Sequence, residues 1–336
     1  MKIAVIGAGA WGTALAIALG RKGTHEVRLW AREQAVIEAI ASRRMNEIFL
    51  PGFEIPATVS VSGDLGDTVA NAQILVSVVP SQHCRQMFEE IRPSMREGML
   101  LVSATKGLEE GTLRRMSEVM ANVFGPQRIG ALSGPSFAKE VARGDPTAIT
   151  IASSDRGLAE TVQSEFSDPR FRVYTNTDVV AVELGGALKN IIAIAAGVCH
   201  GLGLGHNSIA ALITRGLAEM TRLAVACGGR AETMAGLAGL GDLVLTCTGD
   251  LSRNRSVGVE LGRGRKLPEI LAAMKGSVAE GVFTTAAALE LARSRGVEMP
   301  ITEQMNAVLH QGKSPRDAIH DLMTRSSKSE TATGGL

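Results

Sequence analysis

Aromatic side chains are scarce in this chain: eight Phe, two Trp and one Tyr, together 3% of 336 residues. A protein that binds single-stranded nucleic acid by stacking bases on aromatic platforms is therefore not expected. Its cores must be built from Ala, Val, Ile, Leu and Met, which suits helices and parallel strands. Net charge is nearly absent as well. The balance of 35 Lys and Arg against 34 Asp and Glu leaves +1, so neither nucleic acid nor an anionic membrane surface is a natural partner. The four cysteines, Cys84, Cys199, Cys227 and Cys247, form no C-x-x-C pair and read as small apolar residues in a reducing, cytoplasmic setting. No run of 18 uncharged apolar residues reads as a membrane span. The stretch Met1–Gly20 has the apolarity of a signal peptide, but Gly7, Gly9 and Gly12 interrupt an h-region and suit a strand followed by a phosphate loop.

What is present points to about two domains. The first 175 residues alternate short β-branched runs with helical stretches, the pattern of a doubly wound, parallel α/β sheet. Strands are predicted at 3–6, 26–30, 59–61, 74–79, 99–104, 129–132, 148–152 and 172–174, and helices at 11–21, 34–43, 82–91 and 113–124. After Tyr174 the texture changes. Thr175-Asn-Thr-Asp178 is a helix start, with Thr or Asn as the cap and Asp in the first turn. From there to about Arg325 the chain reads as helices only. The expected organisation is a Rossmann-type domain over 1–177, an all-helical domain over 178–325 and a frayed polar tail over 326–336.

At the front, Ile3–Ile6 is a strand, Gly7-Ala-Gly9-Ala10-Trp11-Gly12 fits G-x-G-x-x-G, and Thr13–Arg21 is a helix. Gly7 permits the turn, Gly9 lets a pyrophosphate approach the backbone, and Gly12 lets helix and strand pack closely. The helix N-terminus then receives the phosphates. Twenty residues after Gly12, at the end of the second strand, stands Arg32, followed by Glu33. A guanidinium there suits a 2′-phosphate and favours NADPH, while Glu33 leaves NADH open.

Lys189 is the strongest candidate for chemistry. It lies in Glu183-Leu-Gly-Gly-Ala-Leu-Lys189-Asn190, and Ile191 to Cys199 carry no charge. At helical spacing its neighbours are Gly185, Gly186, Ile192, Ala193 and Ala196, so no wet face is available. Burial lowers an ammonium's pKa toward the range useful for proton transfer; a lysine snorkelling to solvent is the bland alternative. Two further candidates lie at strand tips, where a doubly wound sheet binds ligands. Lys106 ends Ser103-Ala-Thr-Lys106-Gly107, and Ser136 stands in Gly134-Pro-Ser136-Phe-Ala138, where its hydroxyl is expected to cap the next helix. Either segment could be ordinary loop chemistry. In the helical part, Asp242 follows a Gly turn, and Thr246 to Arg255 gathers hydroxyls, an amide and two guanidiniums. That mixture suits a phosphate or carboxylate clamp, although a solvated basic loop has the same composition. His200 and His206 flank a Gly-rich turn without a third ligand, so no metal is expected.

Five of these segments, Gly7–Ala14, Ser103–Gly107, Gly134–Ala138, Gly186–Gly197 and Gly239–Asn254, together resemble bacterial NAD(P)-dependent glycerol-3-phosphate dehydrogenase. The Gly-Ala-Leu-Lys-Asn-Ile-Ile-Ala run and the Ser-Arg-Asn triplet are the specific part. The resemblance implies reversible hydride transfer between NAD(P)H and dihydroxyacetone phosphate, giving sn-glycerol 3-phosphate for glycerophospholipid synthesis. It implies Lys189 as the proton donor and acceptor. Substrate contacts are implied for Lys106, Gly134, Ser136, Asp242, Ser252, Arg253 and Asn254. Cofactor contacts are implied for the loop glycines, Ala10, Trp11, Arg32, Lys106, Ala138, Arg253, Val278 and Glu280. Position 10 is often serine in that family, so Ala10 retains only a backbone contact. Rivals with the same layout are a ketopantoate reductase, a 3-hydroxyacid dehydrogenase and an NADPH-binding redox sensor. Apolar helical surfaces make a homodimer plausible.

Overall fold

The first strand, β1 (Lys2–Ile6), occupies the middle of the sheet, flanked by β2 (Glu26–Trp30) on one side. The chain then forms a helix, Gln34–Arg43, and a small hairpin of β3 (Met45–Asn46) and β4 (Leu50–Glu54). It returns as β5 (Val59–Ser62) and continues through β6 (Ile74–Ser77), β7 (Leu100–Ser103), β8 (Ile129–Ser133), β9 (Thr147–Ala152) and β10 (Phe171–Asn176). This computed structural model describes residues 1–274, 279–327 and 329–330. The eight-stranded sheet has the order β10-β9-β8-β7-β6-β1-β2-β5. Without the hairpin, its first six strands run 3-2-1-4-5-6, the doubly wound order with a crevice where the winding reverses, between β1 and β6.

The sheet is not wholly parallel, as the sequence had suggested. β9 runs antiparallel to β8, with Ser133 opposite Thr150, and β10 then pairs with β9 in parallel. Periodicity records burial, not strand direction, so this reversal left no mark. The β1, β6 and β7 strands are buried almost throughout, as expected where helices cover both faces.

Other boundaries also moved. The predicted helix at 113–124 starts at Met116, because Leu113 takes φ +58° and Leu108 bridges Arg115 across a turn. The helix expected after Ser136 runs Ala138–Arg143, while helices Leu65–Val69 and Arg156–Phe166 fall where none was placed. The predicted helix start near Thr175 is capped by Asp178, which accepts from the Ala181 amide at 3.0 Å.

Beyond Asp178 every described element is helical. The helix Val179–Gly201 forms the axis of this region and is buried from Ala181 to Cys199. It is long and apolar enough to cross a membrane, yet 89% of its apolar window is covered by the rest of the fold. Helix Arg253–Gly262 lies against it at backbone contact: a Cβ on Gly258 would stand 1.9 Å from the Ile194 carbonyl. Of the expected tail, residues 328 and 331–336 lie outside the described residues.

Candidate active site

Five strand ends converge on one cleft of about 640 Å³, and the helical region closes its other side. From the sheet come Gly7–Gly12 after β1, Arg32 and Glu33 after β2, Val78–Pro80 after β6, Ala104–Lys106 after β7 and Ser136–Ala138 after β8. From the helices come Lys189, Asn190, Thr246, Ser252, Arg253, Asn254 and Glu280.

The glycine loop has the shape that a pyrophosphate requires. Gly7 sits at φ +118°, and a Cβ on Gly12 would lie 1.9 Å from the Gly7 carbonyl, so neither position tolerates a side chain. A Cβ on Gly9 would meet nothing within 4 Å, which leaves its backbone open to the cleft. Gly9 caps helix Ala10–Arg21 without any side-chain bond, so the first amides and the positive helix end are available to an anion. Trp11 lines the same cleft, and its buried indole N–H has no partner among the described residues. These features fit a dinucleotide. Arg32 is 71% exposed at the cleft mouth, with its guanidinium 3.0 Å from the Glu33 carboxylate.

The reactive end is a buried charge cluster. Lys189 is 6% exposed and Asp242 1%. The Lys189 ammonium donates to Asp242 Oδ1 and, at 2.9 Å, to Thr246 Oγ1. Lys106 Nζ donates to Asp242 Oδ2 at 2.7 Å and to the Gly134 carbonyl at 3.0 Å. One carboxylate is thus shared by two ammonium groups. An ammonium has three N–H donors, so Lys189 retains one for a group in the cleft. Burial lowers its pKa to about 7, against the pull of Asp242 and with the repulsion of Lys106. Burial alone would raise Asp242; the two neighbouring amines prevail and hold it below the usual carboxylate range.

Local structure explains how these groups meet. Asp242 opens helix Asp242–Thr248 directly after a π-helical turn, Leu237–Gly241. Thr246, one turn on, donates back to the Asp242 carbonyl at 2.6 Å, which aims its oxygen lone pairs at Lys189. Asn190 follows Lys189 and accepts from Asn254 Nδ2 at 3.0 Å, while Asn254 Oδ1 accepts from the Gly281 amide. Glu280 is held by the Ser81 hydroxyl at 3.0 Å, and burial raises its pKa to about 7.

Most residues singled out in the sequence line this cleft, with some differences. Asp242 and Gly134 stand behind its wall, Asp242 bonded to both lysines and the Gly134 carbonyl to Lys106. Ser136 does not cap the helix that follows; its hydroxyl donates to the Gly134 carbonyl at 2.9 Å, and Phe137 occupies the cap position. The Ser252 hydroxyl caps helix Arg253–Gly262 by accepting from the Arg255 amide at 3.2 Å, which presents Arg253 and Asn254 from the first turn. Val278 lies outside the described residues. Thr246 carried only a generic hydroxyl signal in the sequence, and Asn46, discussed below, carried none.

A doubly wound dinucleotide crevice roofed by an all-helical region, with a buried lysine at their junction, defines a two-part nicotinamide-dependent dehydrogenase. More narrowly, the chain belongs to the NAD-dependent glycerol-3-phosphate dehydrogenase family. The family's N-terminal model matches residues 2–159 and its C-terminal model residues 178–320. A glycerol-3-phosphate dehydrogenase (NAD(P)+) of Koribacter versatilis (strain Ellin345) is 67% identical over 332 residues, 98% of each chain. One from Acidobacterium capsulatum is 56% identical over 336 residues, covering 98% of this chain and 99% of the relative. The crystal structure of glycerol-3-phosphate dehydrogenase from Coxiella burnetii superposes with a TM-score of 0.93 at 41% identity, covering 96% of this chain and 99% of that one.

Proposed function

We propose that this enzyme interconverts dihydroxyacetone phosphate and sn-glycerol 3-phosphate with Lys189 as its acid and base. The observation that carries this reading is a single amine, buried, held on two sides by Asp242 and Thr246, and open on the third to the cleft. A nicotinamide dinucleotide, held along the glycine loop by Gly7–Gly12, would supply or accept the hydride at the substrate's C2. In reduction, negative charge builds on the C2 oxygen; Lys189 Nζ stabilises it and gives up a proton to form the hydroxyl. In oxidation the neutral amine takes that proton back. Such general acid–base help contributes roughly 10²–10⁴ in rate. Lys106 adds positive potential from the far side of Asp242.

Arg253, with Asn254 and Ser136 along the same cleft, would hold the substrate's phosphate, so that binding of a remote group fixes the reacting carbon. The amides of Gly9 to Gly12, Ala10 and Ala138, with Trp11 and Glu280, would line the dinucleotide, and Arg32 would meet a 2′-phosphate. We divide the chain into a dinucleotide domain, 1–177, and a substrate domain, 178–325; the end of β10 at Asn176 and the Asp178 cap support that boundary. The product's chemistry suits glycerophospholipid synthesis. Four free thiols agree with a cytoplasmic enzyme, and exposed Leu240 and Val244 on one helical face agree with a homodimer.

One steady-state assay tests the reading: NADPH and NADH, each with dihydroxyacetone phosphate or ketopantoate, for the wild type and Arg32→Ala. The expected result is turnover of the phosphate substrate alone, with kcat/KM higher for NADPH and that preference lost in Arg32→Ala. Equal losses for both cofactors would remove the 2′-phosphate assignment, and reduction of ketopantoate would remove the substrate.

A further inference from the structure

The hairpin β3–β4 makes a contact that the family resemblance did not anticipate. Asn46 at its start is completely buried. Its carboxamide nitrogen donates to the Ala8 carbonyl, inside the glycine loop, and to Thr13 Oγ1, in the first turn of the helix behind that loop, both at 2.8 Å. Thr13 Oγ1 itself donates to the Ala8 carbonyl at 3.2 Å. On the other side, Asn46 Oδ1 accepts from the Phe49 amide at 3.1 Å. Phe49 and Leu50 line the same cleft as the loop. One side chain therefore ties two walls of the crevice together.

We propose that Asn46 is a positioning residue for the dinucleotide, its carboxamide setting the spacing between the glycine loop and the Phe49–Leu50 wall. The chemistry is specific. Only a group with two donors on one atom and an acceptor on the other satisfies Ala8, Thr13 and Phe49 at once, and an amide is the neutral side chain that has this pattern. In an Asn46 variant the Ala8 carbonyl would keep only the longer bond from Thr13 and the Phe49 amide would lose its side-chain acceptor, so the Gly7–Gly12 backbone and the Phe49–Leu50 wall would no longer be tied together. The substrate and proton-transfer groups, on the opposite side of the cleft, are not reached by these bonds. The inference rests on the glycine loop being the cofactor site.

The test measures NADPH affinity by fluorescence titration, with kcat and the KM for dihydroxyacetone phosphate, in Asn46→Ala, Thr13→Val and the double variant. Losing the buried bonds of Asn46→Ala should raise the NADPH Kd about fivefold or more, while kcat at saturating NADPH and the substrate KM stay within about twofold. Thr13→Val removes one of the two acceptors and should raise Kd less. In the double variant the two factors should fail to multiply, as coupled groups do. An unchanged Kd in folded Asn46→Ala, or a kcat that falls together with affinity, would overturn the proposal. If Asn46→Ala does not fold, Thr13→Val alone decides: a raised Kd at constant kcat supports the role and an unchanged Kd overturns it. A wild-type chain that binds neither NADPH nor NADH would instead sink the underlying cofactor reading.

Discussion

At Lys189 three influences act on one proton: burial expels it, Asp242 retains it, and Lys106 repels it. Their balance places the amine's pKa near 7, where donor and acceptor forms are both populated at working pH, the condition that favours acid–base catalysis. The sign of the pH dependence follows. With Lys189 as the proposed acid and base, oxidation of the alcohol requires the neutral amine, so kcat/KM in that direction should rise as pH increases through about 7. Ketone reduction needs the ammonium and should fall over the same range. Initial rates in both directions between pH 5.5 and 9, at about 0.15 M salt to screen surface charge, check this; parallel profiles would contradict it. The lysine was legible in the sequence because small apolar neighbours at helical spacing left it no route to water. Its partners were legible only as residue types. Asp242 is 53 residues away and Lys106 lies 83 residues before it in the chain, and no local pattern encodes which carboxylate two amines will share. Ser136 and Ser252 show the reverse limit. Both were recognised as hydroxyls near the site, but which backbone group each would satisfy depends on φ and ψ at the next residue.

Among the elements, the crossing of Val179–Gly201 with Arg253–Gly262 decides how the lysine meets the proposed phosphate groups. Lys189 and Asn190 ride on the first helix, and Arg253 and Asn254 open the second. Gly197 and Gly258 let the backbones touch, since a Cβ at either would come within about 2 Å of a carbonyl of the other helix. Gly258→Ala should therefore push the helices apart. Overpacking of this kind costs about 1–3 kcal/mol, read as a lower Tm, and the KM for dihydroxyacetone phosphate should rise with it. A Tm and KM equal to wild type would show that the crossing is not tightly set. Helices and sheet strands were readable from period and composition almost to the residue at Glu26–Trp30 and Gln34–Arg43. The β3–β4 hairpin was not. Its strands are two and five residues long, and Pro51 and Gly52 within the second read as a turn rather than a strand. The antiparallel step at β9 escaped for a different reason, because a buried strand has the same pattern in either direction.

Over the whole molecule, the sheet and the helical region are joined by buried polar contacts as well as by the cleft. Glu183, two turns before Lys189, accepts from Arg115 Nη1 at 2.6 Å, from the Ser117 hydroxyl at 2.6 Å and from the Ser117 amide at 2.8 Å. Arg115 also pairs with Glu118 at 2.7 Å, so removing Glu183 leaves the guanidinium one carboxylate partner, and the lost buried bonds cost about 1–3 kcal/mol. Glu183→Ala should lose that much unfolding free energy in urea; a loss below about 1 kcal/mol would mean that water replaces the carboxylate. The two-part architecture was visible as a change of texture after Tyr174, whereas this cross-link needed the fold. The account as a whole depends on where the proton goes, and Lys189→Ala addresses that most directly, measured as turnover of dihydroxyacetone phosphate beside NADPH Kd in the same preparation. Turnover should fall about a hundredfold or more with cofactor affinity retained; turnover within about threefold of wild type would contradict the assignment.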